Sequence, residues 1–134
     1  MKKLMNGAQM KRIDEYSIRE VGIPSLVLME RAALCVTEAV LEKIKKTDKV
    51  LCVCGSGNNG ADGMAVARQL TEHGISADVY TTAEEGKGTE ELKRQSAILQ
   101  KLGITFVNDI PAGEYNCIID AVFGIGLSRA ITGR

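Results

Sequence analysis

The chain has 134 residues, 45% of them apolar and 25% charged, which is enough for one buried core in a single domain. Lysine plus arginine balances aspartate plus glutamate at 17 each, so no net field draws the chain to nucleic acid or an anionic membrane. No stretch approaches the roughly 20 apolar residues of a membrane-spanning helix, and the basic start Met1-Lys2-Lys3 runs into polar residues rather than a signal-peptide core, so a cytoplasmic protein is expected.

Met10, Ile13, Ser17 and Val21 share one side at helical spacing and predict a helix over 8–21, which Gly22-Ile23-Pro24 breaks. Ser25 is the expected N-cap of a second helix reaching to about Lys46, with an apolar stripe of Leu28, Ala32, Cys35, Val36, Ala39, Val40 and Ile44. Lys49 to Cys54 is an unbroken apolar run, as in a strand buried on both faces. A glycine loop follows, then a helix over 62–73 stopped by Gly74. Ile75 to Thr81 reads as a strand, Lys87 to Leu102 as a helix closed by Gly103, Ile104 to Val107 as a third strand, and Tyr115 to Phe123 contains a fourth. Strands alternating with helices imply βαβ units and a parallel sheet. Residues 108–114 do not conform, being fewer than the dozen or so that a crossover between parallel strands needs.

Cys52 and Cys54 lie on one face of the first strand and read as small buried hydrophobes, with a redox role as the alternative. Neither they nor Cys35 and Cys117 have the second Cys or His pair that a zinc site requires.

Gly55, Gly57 and Gly60 fit G-x-G-x-x-G between a strand and a helix, the context in which backbone amides and a helix N-terminus hold a phosphate. The bland alternative is a tight βα turn. No acidic residue follows at the expected count of about 20, since the second strand's end offers only Thr81, Thr82, Glu84 and Glu85. NAD-dependent hydride chemistry therefore lacks its ribose-reading acid. Asn58, Asn59 and Asp62 exceed what a turn needs and are expected to face a ligand, although Asn also tolerates unusual backbone angles. Asp120 stands in the apolar fourth strand, where burial would require a partner or a cation. If that strand pairs with the first, Asp120 and Asn59 meet at the sheet's switch point, where two oxygen ligands could hold a cation. Gly124 to Arg129 then reads as a second flexible loop, with Ser128 or Arg129 reaching a phosphate. His73, at a helix C-terminus, is expected to complement the dipole.

Four stretches in this order, Met10 to Glu15 with its Met-Lys-x-x-Asp pattern, Gly22 to Ala32, Gly55 to Gly63 and Asp120 to Ser128, resemble the NAD(P)H-hydrate epimerase family, the YjeF N-terminal-type domain. The resemblance implies a Rossmann-like α/β fold, a three-layer parallel sheet with two leading helices, over one domain spanning 1–134. It implies interconversion of the R and S hydrates of NADH and NADPH (NADHX and NADPHX), a homodimer commonly formed through the leading helices, and a fused or separate dehydratase partner. By the family's pattern the hydrated nucleotide contacts Asn58, Asn59, Gly60, Ala61 and Asp62, and also Gly124, Ile125, Gly126, Leu127, Ser128, Arg129 and Ala130. One potassium ion per subunit lies on Asn59 and Asp120, and Asp120 is the candidate catalytic residue. Ala61 and Ile125 depart from the family's usual glycine and small polar residue. The family pattern goes on to an Asp-x-Pro-Ser-Gly motif after the last residue here, so a domain truncated before its last strands, with a partial site, is expected. The competing readings are a non-catalytic nucleotide- or protein-binding module and a dehydrogenase module. Neutral charge with two Phe and three Tyr speaks against stacking on single-stranded RNA.

Overall fold

The computed structural model describes residues 22–110, 113–122 and 126–129, the last four by backbone only. The predicted helix over 8–21 lies outside the described residues. The elements are α1 (Ser25–Leu41), β1 (Lys49–Cys54), α2 (Asn58–Glu72), β2 (Ser76–Thr81), α3 (Glu90–Lys101), β3 (Cys117–Ala121) and β4 (Gly126–Arg129). The sheet runs β2-β1-β3-β4, with β1 parallel to both neighbours and β4 antiparallel to β3. Three parallel strands with three helices form an open, Rossmann-like α/β arrangement, as expected.

The core lies between the sheet and α2. Val50, Cys52 and Cys54 of β1, Ala77 and Val79 of β2 and Cys117 and Ile119 of β3 alternate along their strands, so one face meets Ala61, Met64, Ala65 and Leu70. Helix α2 is buried almost all round because α1 and α3 pack on it while it lies on the sheet. It ends in a Schellman motif: Gly74 takes φ 81°, Ile75 N–H donates to Leu70 O at 3.0 Å and Gly74 N–H to Thr71 O at 2.9 Å. The His73 ring Nδ1 lies 2.9 Å from Gln69 O, placing the imidazole against the helix's last carbonyls. Helix α3 stops the same way at Gly103.

Helix α1 departs from its expected outline. Pro24, not Ser25, is the N-cap, and Ser25 Oγ instead donates to Glu91 Oε2 of α3 at 3.1 Å. The helix ends at Leu41, well before Lys46. Its buried stripe is Met29, Ala33, Thr37 and Val40 with Leu28, while Cys35 is exposed. The rotation follows from a polar network that periodicity does not reveal. Thr37 Oγ1 donates to Gln69 Oε1 at 2.7 Å, and Gln69 Nε2 donates to Glu30 Oε2 at 2.8 Å. Arg68 pairs with Glu30 and, at 3.0 Å, with Glu72. Burial opposes ionisation of Glu30, yet hydrogen bonds from Arg68 and Gln69 and the Arg68 charge prevail and hold its carboxyl below the usual range. Replacing Gln69 with leucine leaves the Thr37 hydroxyl and a Glu30 oxygen without their amide, at an expected cost of about 1–3 kcal/mol. Urea denaturation checks this, and an unchanged midpoint contradicts it.

The irregular link resolves simply. Ile104 to Val107 form no full strand but one parallel bridge, Phe106 to Val79, outside β2. The chain returns to Asn116, with no helix among the described residues of the link, and the Asn116 N–H donates to Lys49 O at 2.8 Å at the start of β1. Tyr115 anchors this return: its hydroxyl donates to Asp78 Oδ2 at 2.8 Å, and Lys49 Nζ sits 5.2 Å from its ring centroid. Burial, then the Asp78 bond and charge, push the Tyr115 phenol up to about 12. The unfolded chain, ionising near 10, loses this proton first, so the contribution holds below about pH 10 and is lost as pH rises towards 12. Tyr115→Phe is expected to flatten the fall in stability across that window in pH-dependent melting; a parallel fall contradicts it.

Candidate functional site

β1 leaves the sheet between two neighbours whose connections run in opposite directions. Cys54 is paired with Thr81 on one side and Ala121 on the other, and the ladders end with Thr82 N–H to Cys54 O and Gly55 N–H to Ala121 O, both 3.0 Å. The gap between β1 and β3 is the switch point, where open α/β sheets hold ligands. The pairing of the predicted fourth strand with the first is therefore present.

The glycine loop occupies this gap, and its glycines serve close approach rather than unusual backbone angles. None of Gly55, Gly57, Gly60 and Gly63 has positive φ. A Cβ on Gly55 would lie 2.8 Å from Val122 O, one on Gly60 would lie 1.9 Å from Gly55 O, and one on Gly63 would lie 2.6 Å from Ala121 Cβ and 2.9 Å from Cys54 Sγ. A Cβ on Gly57 would meet nothing within 4 Å, so the second glycine of the motif borders open space. The packing role of Gly63 was legible only as the Gly60-x-x-Gly63 spacing, which puts both on one helix face.

Helix α2 begins at Asn58, four residues earlier than the pattern suggests. Asn58 and Asn59 are helical and no non-glycine residue among the described ones has positive φ, which removes the backbone explanation for the two asparagines. Gly57 supplies no side-chain cap and the first turn holds no acid, so the amides of Asn58, Asn59 and Gly60 form a positive helix end aimed at the gap. Asn58 is exposed, Asn59 and Asp62 are half-buried, and Gly60 is buried. Ala61 is fully buried and its N–H donates to Gly57 O at 3.2 Å, so it packs rather than presenting a donor.

Asp120 sits opposite Val53 in the β1 register and one residue from the end of β3. It is exposed, contrary to the expectation of a costly buried carboxylate, and its Oδ1 accepts from Val122 N–H at 3.1 Å. Strand alternation turns it away from the face that α2 covers. Among the described residues it pairs with no cation. No group of three His, Cys, Asp or Glu suited to a metal occurs among the described residues. The donor chemistry of the pair, a carboxylate on Asp120 and an amide oxygen on Asn59, fits a hard, weakly charged cation better than a zinc-like ion.

The expected second loop is partly a strand. Gly126 to Arg129 form β4, antiparallel to β3, with Gly126 opposite Asp120, Leu127 opposite Ile119, Ser128 opposite Ile118 and Arg129 opposite Cys117. An antiparallel return carries Ser128 and Arg129 back along β3, away from the switch point that they were expected to reach. Gly124, Ile125 and Ala130 lie outside the described residues. Cys52, Cys54 and Cys117 are buried thiols outside any disulfide. Burial pushes Cys52 well up and Cys54 to about 12, which leaves the pair in the unreactive thiol form and without support for a redox role.

One element near the loop escaped sequence reasoning. Residues 82–89 are not part of α3; Thr89 caps that helix by accepting from Leu92 N–H at 3.2 Å, and its own N–H donates to Ser56 O at 3.3 Å. The signal was Thr89 ahead of Glu90 and Glu91, an N-cap with acids in the first turn.

The family described as YjeF-related protein N-terminus matches residues 25–134. The chain belongs to this family. This YjeF-related chain is 42% identical over 132 residues to the NAD(P)H-hydrate epimerase of Oenococcus oeni, covering 97% of the chain and 63% of that protein. It is 41% identical to the NAD(P)H-hydrate epimerase of Weissella koreensis (92% of the chain, 56% of the relative) and 40% identical to that of Limosilactobacillus fermentum (96% and 62%). The crystal structure of the yeast protein ynu0 superposes with a TM-score of 0.72 at 26% identity, covering 92% of this chain and 57% of that one. The YjeF-related chain thus spans about three fifths of the length of the curated relatives it matches.

Proposed function

We propose that this protein is an NAD(P)H-hydrate epimerase, an isomerase that interconverts the R and S forms of NADHX and NADPHX in nicotinamide nucleotide repair in the cytoplasm. The observation that carries the reading is the N-terminus of α2 at the β1–β3 switch point, where Gly57 supplies no side-chain cap, with Asn58 and Asn59 in the first turn and open space at Gly57. A helix end of this kind binds a nucleotide's phosphates through backbone amides. Around it Asn58 and Asn59 supply amide groups to orient the nucleotide, with Gly60, Ala61 and Asp62 completing the contact stretch. The family pattern adds nucleotide contacts from Gly124 to Gly126, of which Gly126 pairs opposite Asp120. Asn59 and Asp120 would hold one potassium ion per subunit, which would supply positive charge beside the nucleotide.

Epimerisation at C6 of the hydrated ring needs a group that accepts or donates a proton near that carbon. Asp120, exposed at the end of β3, is the carboxylate assigned to that role, with Asp62 the other carboxylate of the loop region. A homodimer formed through the leading helices accords with Val27 and Leu34, which lie exposed on α1 at 49% and 43%. A dehydratase, fused or separate, would consume one epimer. No helix among the described residues is long and apolar enough to cross a membrane.

Calorimetric titration with NADPHX, with and without potassium, tests the site. Binding strengthened by potassium is expected, and heats indistinguishable from dilution overturn the reading. Potassium-dependent binding without turnover would instead identify a non-catalytic module of the same fold.

A further inference from the structure

The loop between β2 and α3 is tied to the start of the glycine loop at two points, Cys54 and Ser56, on either side of Gly55. Thr82 N–H donates to Cys54 O at 3.0 Å, and Thr89 N–H donates to Ser56 O at 3.3 Å. Between them Gly88 adopts φ 101°, and a Cβ there would lie 2.8 Å from Ser56 O and 2.5 Å from Leu92 Cδ2. Gly86 in the same loop is also left-handed, φ 76°, but a Cβ there would meet nothing within 4 Å. Two glycines of one loop thus share a backbone conformation, and only Gly88 is pressed against the phosphate loop. Thr89 fixes that contact from the other side, because its hydroxyl caps the rigid helix α3 while its amide holds Ser56. Ser56 immediately precedes Gly57 and the first amides of α2, so any shift of its carbonyl moves the start of the helix that would receive the phosphates.

We infer that Gly88 is a positioning residue for nucleotide binding, setting the Ser56 carbonyl and through it the amide cradle at Gly57 to Gly60. This deepens the proposed function and rests on it. Neither the G-x-G-x-x-G pattern nor the ligand residues carried over from the family include this position.

The test compares Gly88→Ala with Gly86→Ala in the full-length protein. Both place a side chain in left-handed backbone, which lowers stability in each, and Gly88→Ala adds the contacts to Ser56 O and Leu92 Cδ2. Gly88→Ala is expected to raise the Kd for NADPHX at saturating potassium about tenfold, or 1.4 kcal/mol, while Gly86→Ala stays within about twofold. In turnover, KM for the hydrate rises while kcat holds, because the displaced group lies at the phosphates and not at the reacting carbon. Should Gly88→Ala fail to fold, Gly88→Ala with Leu92→Val removes the contact to Leu92 and leaves the one to Ser56. The double variant is expected to bind as weakly as the single one should. Equal Kd values for Gly88→Ala and Gly86→Ala, or wild-type affinity in the double variant, overturn the inference while leaving nucleotide binding intact. Absence of binding in the wild type overturns the proposed function itself.

Discussion

Gly60→Ala is expected to abolish nucleotide binding and to destabilise the fold. The added methyl would sit 1.9 Å from Gly55 O, 2.7 Å from Gly55 C and 2.9 Å from Gly55 N, all backbone atoms that no side-chain rotation can clear. Gly55 is itself hemmed in by Val122 O and bonded to Ala121 O, so it cannot retreat without opening the β1–β3 ladder. The first turn of α2 must move instead, and with it the amides of Asn58, Asn59 and Gly60. Overpacking of this kind costs about 1–3 kcal/mol or more. Gly57→Ala is the informative partner: its methyl enters open space, so the protein should melt near the wild-type temperature and lose affinity only if a ligand fills that space. Melting and NADPHX titration of both variants check the pair. Wild-type affinity in Gly60→Ala contradicts the placement of the site.

Asp120→Ala is expected to remove the potassium dependence of binding while leaving the fold in place. Asp120 is exposed and its hydrogen bond to Val122 N–H is local. The stability change should therefore stay within about 0.5 kcal/mol, as for other surface positions. The effect on the cation should be far larger, since even groups that only orient metal ligands change affinity by about 10–100-fold. Potassium titrations in the presence of NADPHX, read by calorimetry, make the comparison. A variant that responds to potassium like the wild type removes Asp120 from the cation site.

The elements whose burial is set by the chain's own apolar pattern were legible. β1 runs from Lys49 to Cys54 as expected, with Val50, Cys52 and Cys54 buried under α2 and Leu51 buried on the other face, and Gly74 and Gly103 end their helices because left-handed turns favour glycine. The features that depend on partners far along the chain were not. Helix α1 turns to bury Thr37, and only Gln69, 32 residues away, explains why. Ile104 to Val107 has the composition of a strand, but at the sheet's edge it makes only the bridge to Val79. Asp120 reads as buried because its neighbours are apolar, whereas alternation turns it to the other side of β3 from Ile119 and Ala121. Gly124 to Arg129 reads as a loop because of its glycines, yet its last four residues find open hydrogen-bonding partners along β3. In the glycine loop the motif marked a βα turn at the switch point, while the reasons for Gly55, Gly60 and Gly63 emerged from distances to Val122, Gly55, Ala121 and Cys54.

The most direct measurement is chiral chromatography of NADHX incubated with the full-length protein and potassium. Equilibration of the R and S forms well above the spontaneous rate, suppressed in Gly60→Ala, is the predicted result. An unaccelerated approach to equilibrium contradicts the epimerase assignment.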